Sequence, residues 1–457
     1  MDLSAFVGKE ILVMGLGRFG GGVDAAQFAA KVATRVVVTD IAGGDRLRDS
    51  VEQLRELPNV EFHLGSHDPA DFKRADVVVA NPAVAPDNPY LDIARRHGRV
   101  VTSQVGIFFQ LCPARIVGIT GANGKSTTTA LTAYLLANAP SPRPFRKVWL
   151  SGNIGQQPLL TILDRIASDD VAVLELSSFQ IEQLAQVQRA PRISLLTNLT
   201  PNHLDRYGTF DAYCAAKEGI FRYQRHDDDA PAVSLFNAED EVASQWFTRY
   251  REQPGRRCVP FRADDVDAQI RRAYRLPGRA YLSNLAGAMA IAASLGVGKD
   301  AVRACLPGFK ALPHRLELVA EARGVRWYND SKATTPPSAI VALEAFDCPE
   351  VLIAGGYDKH LPFDELGAKI VEKAKAAILI GQTTGKIAEA IHRASTTDQT
   401  TPIQFAASLP EAVELARQLA APGDVVLLSP ACASYDMFEN YQQRGAQFAE
   451  LARRVPA

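Results

Sequence analysis

Apolar runs of four to six residues recur along the chain: Ile11–Met14, Arg35–Val38, Val77–Ala80, Ile116–Ile119, Val171–Leu176, Ile193–Leu196, Val351–Ala354, Ala377–Ile380 and Val425–Leu428. Most are closed by a turn rich in Gly, Asn or Ser and followed by a stretch with helical spacing, such as Thr128–Ala137 or Asn284–Leu295. Continuous apolar runs of this length predict parallel strands buried on both faces, with helices returning the chain. The fold class expected is α/β, with ligands at the carboxyl ends of the strands. Pro and Gly near Cys112-Pro113 and Pro307–Pro313 predict boundaries, giving three α/β domains over 1–112, 113–309 and 310–457. The acidic run Asp227–Asp229 reads as a solvated loop.

Composition narrows the class. The 457 residues suit about three domains of ~150 residues. A net charge of −1 gives no overall field for nucleic acid or anionic lipid, and no partner of either kind is expected. The six cysteines have no CxxC spacing, so reduced thiols are expected. No apolar run reaches the ~18 residues of a membrane span, and the amino terminus lacks a signal-peptide pattern. A cytoplasmic enzyme is expected.

The most specific chemistry is Gly118-Ile-Thr-Gly121-Ala-Asn123-Gly124-Lys125-Ser126-Thr127, between a strand and a helix. Glycines let backbone N–H groups curl around phosphate oxygens, Lys125 reaches the outer phosphates and the Ser126 hydroxyl suits Mg²⁺. Bound ATP is therefore expected. Ile119 stands where the usual pattern has its first glycine. Glu175 ends an apolar strand and is a candidate Mg²⁺ ligand. His203, beside Asp205 and Arg206, follows another strand and suits metal or phosphate. Gly15-Leu16-Gly17-Arg-Phe-Gly20, with Asp40 ending the next strand, is a dinucleotide fingerprint. Alone it points to NAD, and any nucleotide diphosphate suits the same turn. A dehydrogenase joined to a kinase-like module stays open at this level. The last third carries Pro313-His314-Arg315, Asn329–Thr334, Gly355–Lys359 and Ser429–Ser434, whose clustered cations and hydroxyls suit a carboxylate or phosphate. Cys432 has no evident base partner and reads as a small core residue.

Taken together, GITGANGKST, GNIG (152–155), LELSSFQIE (174–182), NLTPNHLDRY (198–207), AAKEGIF (215–221), NDSKAT (329–334), GGYDK (355–359) and LSPACASYDMFENYQQRG (428–445) resemble the Mur ligases. The resemblance covers nearly the whole chain and is greatest to the members that join UDP-N-acetylmuramoyl-L-alanine to D-glutamate. It implies a Rossmann-like UDP-binding domain, a central phosphate-loop ATPase domain with a mostly parallel sheet and a C-terminal Rossmann-like domain. It also implies an acyl-phosphate mechanism and a monomer.

The site residues follow from the same resemblance. Gly121, Asn123, Gly124, Lys125, Ser126, Thr127, Asn284, Arg315 and Asp330 are implied to contact ATP. Ser126, Glu175 and His203 are implied to hold Mg²⁺, joined by Lys217 if it carries a carbamate. Lys125, His203, Lys217 and Lys332 carry the chemistry. Leu16, Asp40, Asn153 and Ser177 face the UDP-substrate, and Thr334, Lys359, Ser434 and Tyr441 face glutamate. Where the family often shows His-Asn-x-x-Asn, this chain reads Ala280-Tyr281-Leu-Ser-Asn284, which leaves Tyr281 as a candidate to stack on adenine.

Overall fold

The computed structural model describes residues 2–18, 20–154, 158–225 and 231–454. Phe19 of the fingerprint, Gly155 of GNIG and the Asp227–Asp229 run lie outside them. The described residues form three sheets.

The first contains β1 (Glu10–Met14), β2 (Arg35–Asp40), β3 (Val60–Leu64), β4 (Val77–Ala80) and β5 (Val100–Ser103), in the order β3-β2-β1-β4-β5. The second contains β6 (Arg115–Thr120), β7 (Val148–Gly152), β8 (Val171–Glu175), β9 (Ile193–Leu196), β10 (Ala232–Asn237) and β11 (Arg256–Phe261), in the order β11-β10-β9-β6-β8-β7. The third contains β12 (Glu317–Ala322), β13 (Val325–Asn329), β14 (Glu350–Ala354), β15 (Ala374–Leu379), β16 (Ile403–Phe405) and β17 (Val425–Leu428), in the order β12-β13-β17-β14-β15-β16. Every pairing is parallel except β12 against β13, so the α/β class read from the apolar runs holds.

Two-sided burial explains the runs. In the third sheet Leu352, Ala354, Val425 and Leu427 enter one core while Val351, Ile353, Val426 and Leu428 enter the other. The period-2 alternation of side chains sends neighbours to opposite faces, and both faces are covered by helices. Each Val, Leu or Ile buried this way contributes roughly 1.5–3 kcal/mol.

The contacts divide the chain into two units: Met1–Asp265 with Asn284–Cys305, and Val266–Ser283 with Leu306–Ala457. The first holds two sheets that share one core, in which Phe6, Val105 and Phe108 belong to the same cluster as Trp149, Leu174 and Leu184. The second holds the third sheet. All six cysteines are free thiols. No helix among the described residues is long and apolar enough to cross a membrane.

Candidate functional site

The strand order of the second sheet reverses around β6, whose neighbours are β9 and β8. Chains leaving adjacent parallel strands there turn to opposite faces and open a crevice at the carboxyl ends. The loop 121–124 leaves β6 into that crevice and enters the helix Lys125–Asn138. Gly121 has φ 148°, and a Cβ there would lie 1.9 Å from Thr197 Oγ1. Gly124 has φ 78°, and a Cβ there would lie 2.3 Å from Asn284 Oδ1. Both positions therefore demand glycine.

The loop is strapped from the end of β9. Thr197 Oγ1 donates to Asn123 O (2.6 Å), Asn198 Oδ1 accepts from Asn123 N (2.9 Å) and Asn198 O accepts from Ala122 N (2.8 Å). Gly124 caps the helix without a side-chain bond, leaving the first-turn N–H groups as an anion cradle. Lys125 Nζ folds back onto Ala122 O at 2.7 Å. Asn284, implied to meet ATP, sits behind Gly124 and accepts from Thr128 Oγ1 at 3.2 Å, so it braces the loop.

Beside the loop lie charged groups in unusual states. Glu175 ends β8, is buried, and its Oε2 has no hydrogen-bond partner. Lys217, on the helix Phe210–Arg222, is also buried and donates to Thr120 Oγ1 at 3.0 Å. Burial first, and the Lys125 ammonium second, push the Lys217 amine well below its ordinary value, against an opposing pull from Glu175. His203 is held in the left-handed region at φ 53°, with its ring against Phe179 (5.1 Å) and Tyr213 (6.3 Å). Burial and the charges of Lys217 and Lys125 hold its imidazole below the usual range, Asp205 opposing. Among the described residues no three His, Cys, Asp or Glu side chains gather as a metal-binding group.

A cavity of about 1540 Å³ in the first unit is lined by Leu16, Asp40, Asn153, Ser177 and His203, so these five expectations meet at one place. Two of the five side chains also do local work. Asp40 accepts from Gly17 N (3.1 Å) and Ala42 N (2.8 Å), which fixes the turn after β1. Ser177 forms a capping box with Gln180 at the start of the helix Ser178–Val187. The Leu16 side chain is fully buried in the core, so only its backbone is left to face a ligand.

The remaining predicted residues belong to the second unit. Asp330 ends up buried just past β13, accepting from Ser429 Oγ (2.9 Å) and Leu316 N (3.1 Å). Burial pushes its carboxyl up to about 7, although Ser429, Leu316 and the Arg315 charge pull the other way. Lys332 Nζ lies 5.3 Å over the Tyr441 ring. Ser434 is buried, Thr334 half-buried and Lys359 exposed.

Sequence reasoning passed over Arg444, which organises this cluster. It is buried, and it donates to Ser331 Oγ (2.9 Å), Ser331 O (2.7 Å), Cys432 O (3.1 Å) and Ala433 O (3.3 Å). Its place inside the run 428–445, one turn after Tyr441 on the helix Tyr441–Arg453, was the available signal. Thr197 and Thr120 were missed as well, because a strand-end threonine carries no sequence mark of what it straps. Cys432 is a small core residue as read, with its thiol pushed up to about 11 by burial. Tyr281 packs against the third sheet's core, and burial raises its phenol, so its ring is occupied by packing.

The fold and the crevice define a three-sheet α/β protein centred on a phosphate loop. Comparisons with known proteins take this further. Residues 9–103 match the Mur ligase MurD-like N-terminal domain, 119–276 the Mur ligase middle domain and 314–432 the Mur ligase glutamate ligase domain. A UDP-N-acetylmuramoylalanine–D-glutamate ligase of Roseiflexus sp. (strain RS-1) is 40% identical over 97% of this chain and 98% of its own. One of Symbiobacterium thermophilum is 39% identical, over 92% and 93% respectively. Among solved structures, MurF ligase of Thermotoga maritima in complex with ADP has a TM-score of 0.58 at 17% identity, covering 98% of this chain and 97% of that one. The chain belongs to the Mur ligase family.

Proposed function

We propose that this chain is the ATP-dependent ligase that joins the carboxylate of UDP-N-acetylmuramoyl-L-alanine to the amine of D-glutamate, giving ADP and phosphate in peptidoglycan precursor synthesis. The observation that carries it is the 40% identity to a ligase of that name over nearly the full length of both chains. The reading puts the enzyme in the cytoplasm as a monomer. Residues 1–112 take the UDP-substrate, 113–309 take ATP, and 310–457 take glutamate and close on the nucleotide.

In the first step a substrate carboxylate oxygen attacks the γ-phosphorus and ADP leaves, forming an acyl phosphate. In the second the amine nitrogen attacks the carbonyl carbon, loses a proton and expels phosphate. Carboxylate and triphosphate repel each other, so positive charge must be fixed around them beforehand. The cradle of Gly121, Gly124 and Thr127 receives the phosphates on backbone N–H groups, Asn123 keeps the loop in place through its bond to Asn198, and Lys125 swings from Ala122 O to the outer phosphates. The buried Glu175 oxygen without a partner, with the Ser126 hydroxyl, fits a hard divalent cation. Glu175, Ser126 and His203 would hold Mg²⁺, which would supply charge neutralisation for the reacting oxygens.

Burial favours the neutral form of the Lys217 amine, and it is the neutral amine that adds to CO₂, releasing a proton and leaving a carbamate. That anion beside Glu175 suits a second cation. Lys332, Arg315 and Asp330 act on the transferring phosphate. Thr334, Lys359, Ser434 and Tyr441 bind glutamate.

Phosphate release with UDP-N-acetylmuramoyl-L-alanine and a panel of amino acids tests the reading. Release with D-glutamate alone is expected. Equal release with L-glutamate, or release without the UDP-substrate, would count against it.

A further inference from the structure

Asp24 stands out among the buried charges of the first unit. It lies in the first turn of the helix Gly21–Val32, is 2% exposed, and lines the cavity. Among the described residues its carboxylate forms no ion pair. Oδ2 accepts from Leu159 N (3.0 Å) and Leu160 N (2.7 Å), Oδ1 accepts from Thr161 N (2.9 Å), and Gln104 Nε2 donates to Oδ2. Three successive backbone N–H groups on one carboxylate form an anion nest occupied by the protein's own side chain. Hydrogen bonds to a charged acceptor are the strong kind, and a buried charge is tolerated only when satisfied in this way.

The partners are what give this a functional meaning. Leu159–Thr161 follow β7 at the crevice, and six residues before Leu159 is the exposed Asn153 on the cavity wall. Asn153 N is tied to Glu175 O at 3.1 Å. Asn153 is thus pinned to the strand that ends in Glu175. Leu159–Thr161 are pinned to a carboxylate carried by the first sheet's helix. Gln104, the fourth donor, opens the helix after β5 and lines the same cavity.

We infer that Asp24 is a positioning residue for the UDP-substrate: it shapes the cavity by holding Leu159 and Gln104, which line it as Asn153 does. The inference rests on the reading of this cavity as the UDP-substrate site. A carboxylate that served only to staple the two sheets would, when lost, weaken all substrates alike. A positioning residue raises one KM.

Steady-state kinetics on the full-length Asp24→Asn variant, with circular dichroism to check the fold, separates the two. The amide keeps the shape but brings an N–H₂ against N–H donors. KM for UDP-N-acetylmuramoyl-L-alanine should rise about tenfold or more while KM for ATP stays within about twofold. The amides of Leu159–Thr161 should lose hydrogen-exchange protection. Gln104→Leu, which removes one donor of the four, should raise the same KM less, and it decides the matter if Asp24→Asn does not fold. An unchanged KM for the UDP-substrate in a folded variant, or an equal rise in KM for ATP, overturns the inference. Wild-type protein that releases no phosphate with the UDP-substrate overturns the functional reading instead. In that case, exchange protection at 159–161 that is the same in wild type and Asp24→Asn also overturns the hold of Asp24 on the wall.

Discussion

The crevice beside β6 and the cluster beyond β13 and β17 both gather charge at strand ends, yet they treat it in opposite ways. In the crevice, Glu175 keeps a buried oxygen with no partner and Lys217 is an amine pressed towards neutrality. In the cluster, Asp330 holds two hydrogen bonds and Arg444 donates four. The first arrangement leaves a buried polar group open. The second spends its polar groups on the protein's own hydrogen bonds. An open buried group points to a site where it stands beside a phosphate loop, as Glu175 does, and not by itself, as Glu350 shows.

Substitutions break this contrast in a definite order. Lys125→Ala should abolish ADP formation with little loss of thermal stability, since the lysine is only half-buried and lies outside the core; near-normal turnover would overturn the phosphate-loop role. Glu175→Gln should cut turnover by about a hundredfold or more while leaving the melting temperature unchanged or higher, because it removes an uncompensated buried carboxylate. A fall in stability without a fall in activity would show the comparison to be wrong. Arg444→Met should act the other way, costing about 3 kcal/mol in denaturant unfolding because the buried carbonyls of Ser331 and Cys432 lose the guanidinium as donor.

The smallest effect, taken per pH unit, concerns Glu350, which is buried at the far end of the third sheet. Neither of its oxygens has a partner, and burial pushes it up to about 9. Its folded value is raised above the unfolded one, so its contribution is full below about 4.5 and is lost as pH rises to about 9. Relative to Glu350→Gln, wild-type stability should fall by at most about 1.4 kcal/mol per pH unit across that window. Parallel pH profiles of unfolding would refute this.

What was legible in the sequence followed the physics of burial. The nine apolar runs all became interior strands. All six edge strands (β3 and β5, β7 and β11, β12 and β16) escaped notice. An edge strand is covered less completely, so it keeps residues such as Glu61, His63 and Gln404 and shows no continuous run. Two interior strands were missed too. β10 carries buried Ser234 and Asn237, and β13 carries Arg326 and Asn329, whose polar groups are satisfied by distant partners that a local reading cannot see. The site was legible where chemistry is carried by a motif. It was not legible where a side chain works through another, as Thr197 and Arg444 do.

The bracing of the phosphate loop also bears on how this chain acquires competence. Asn123 is held by Asn198, 75 residues on, and Thr128 meets Asn284 at a separation of 156. Such contacts carry a large loop-closure entropy and form late relative to helices and adjacent strands. The ten-residue motif transplanted alone would lack its mould. During synthesis, the nascent chain would not hold a nucleotide tightly until the helix bearing Asn284 had emerged.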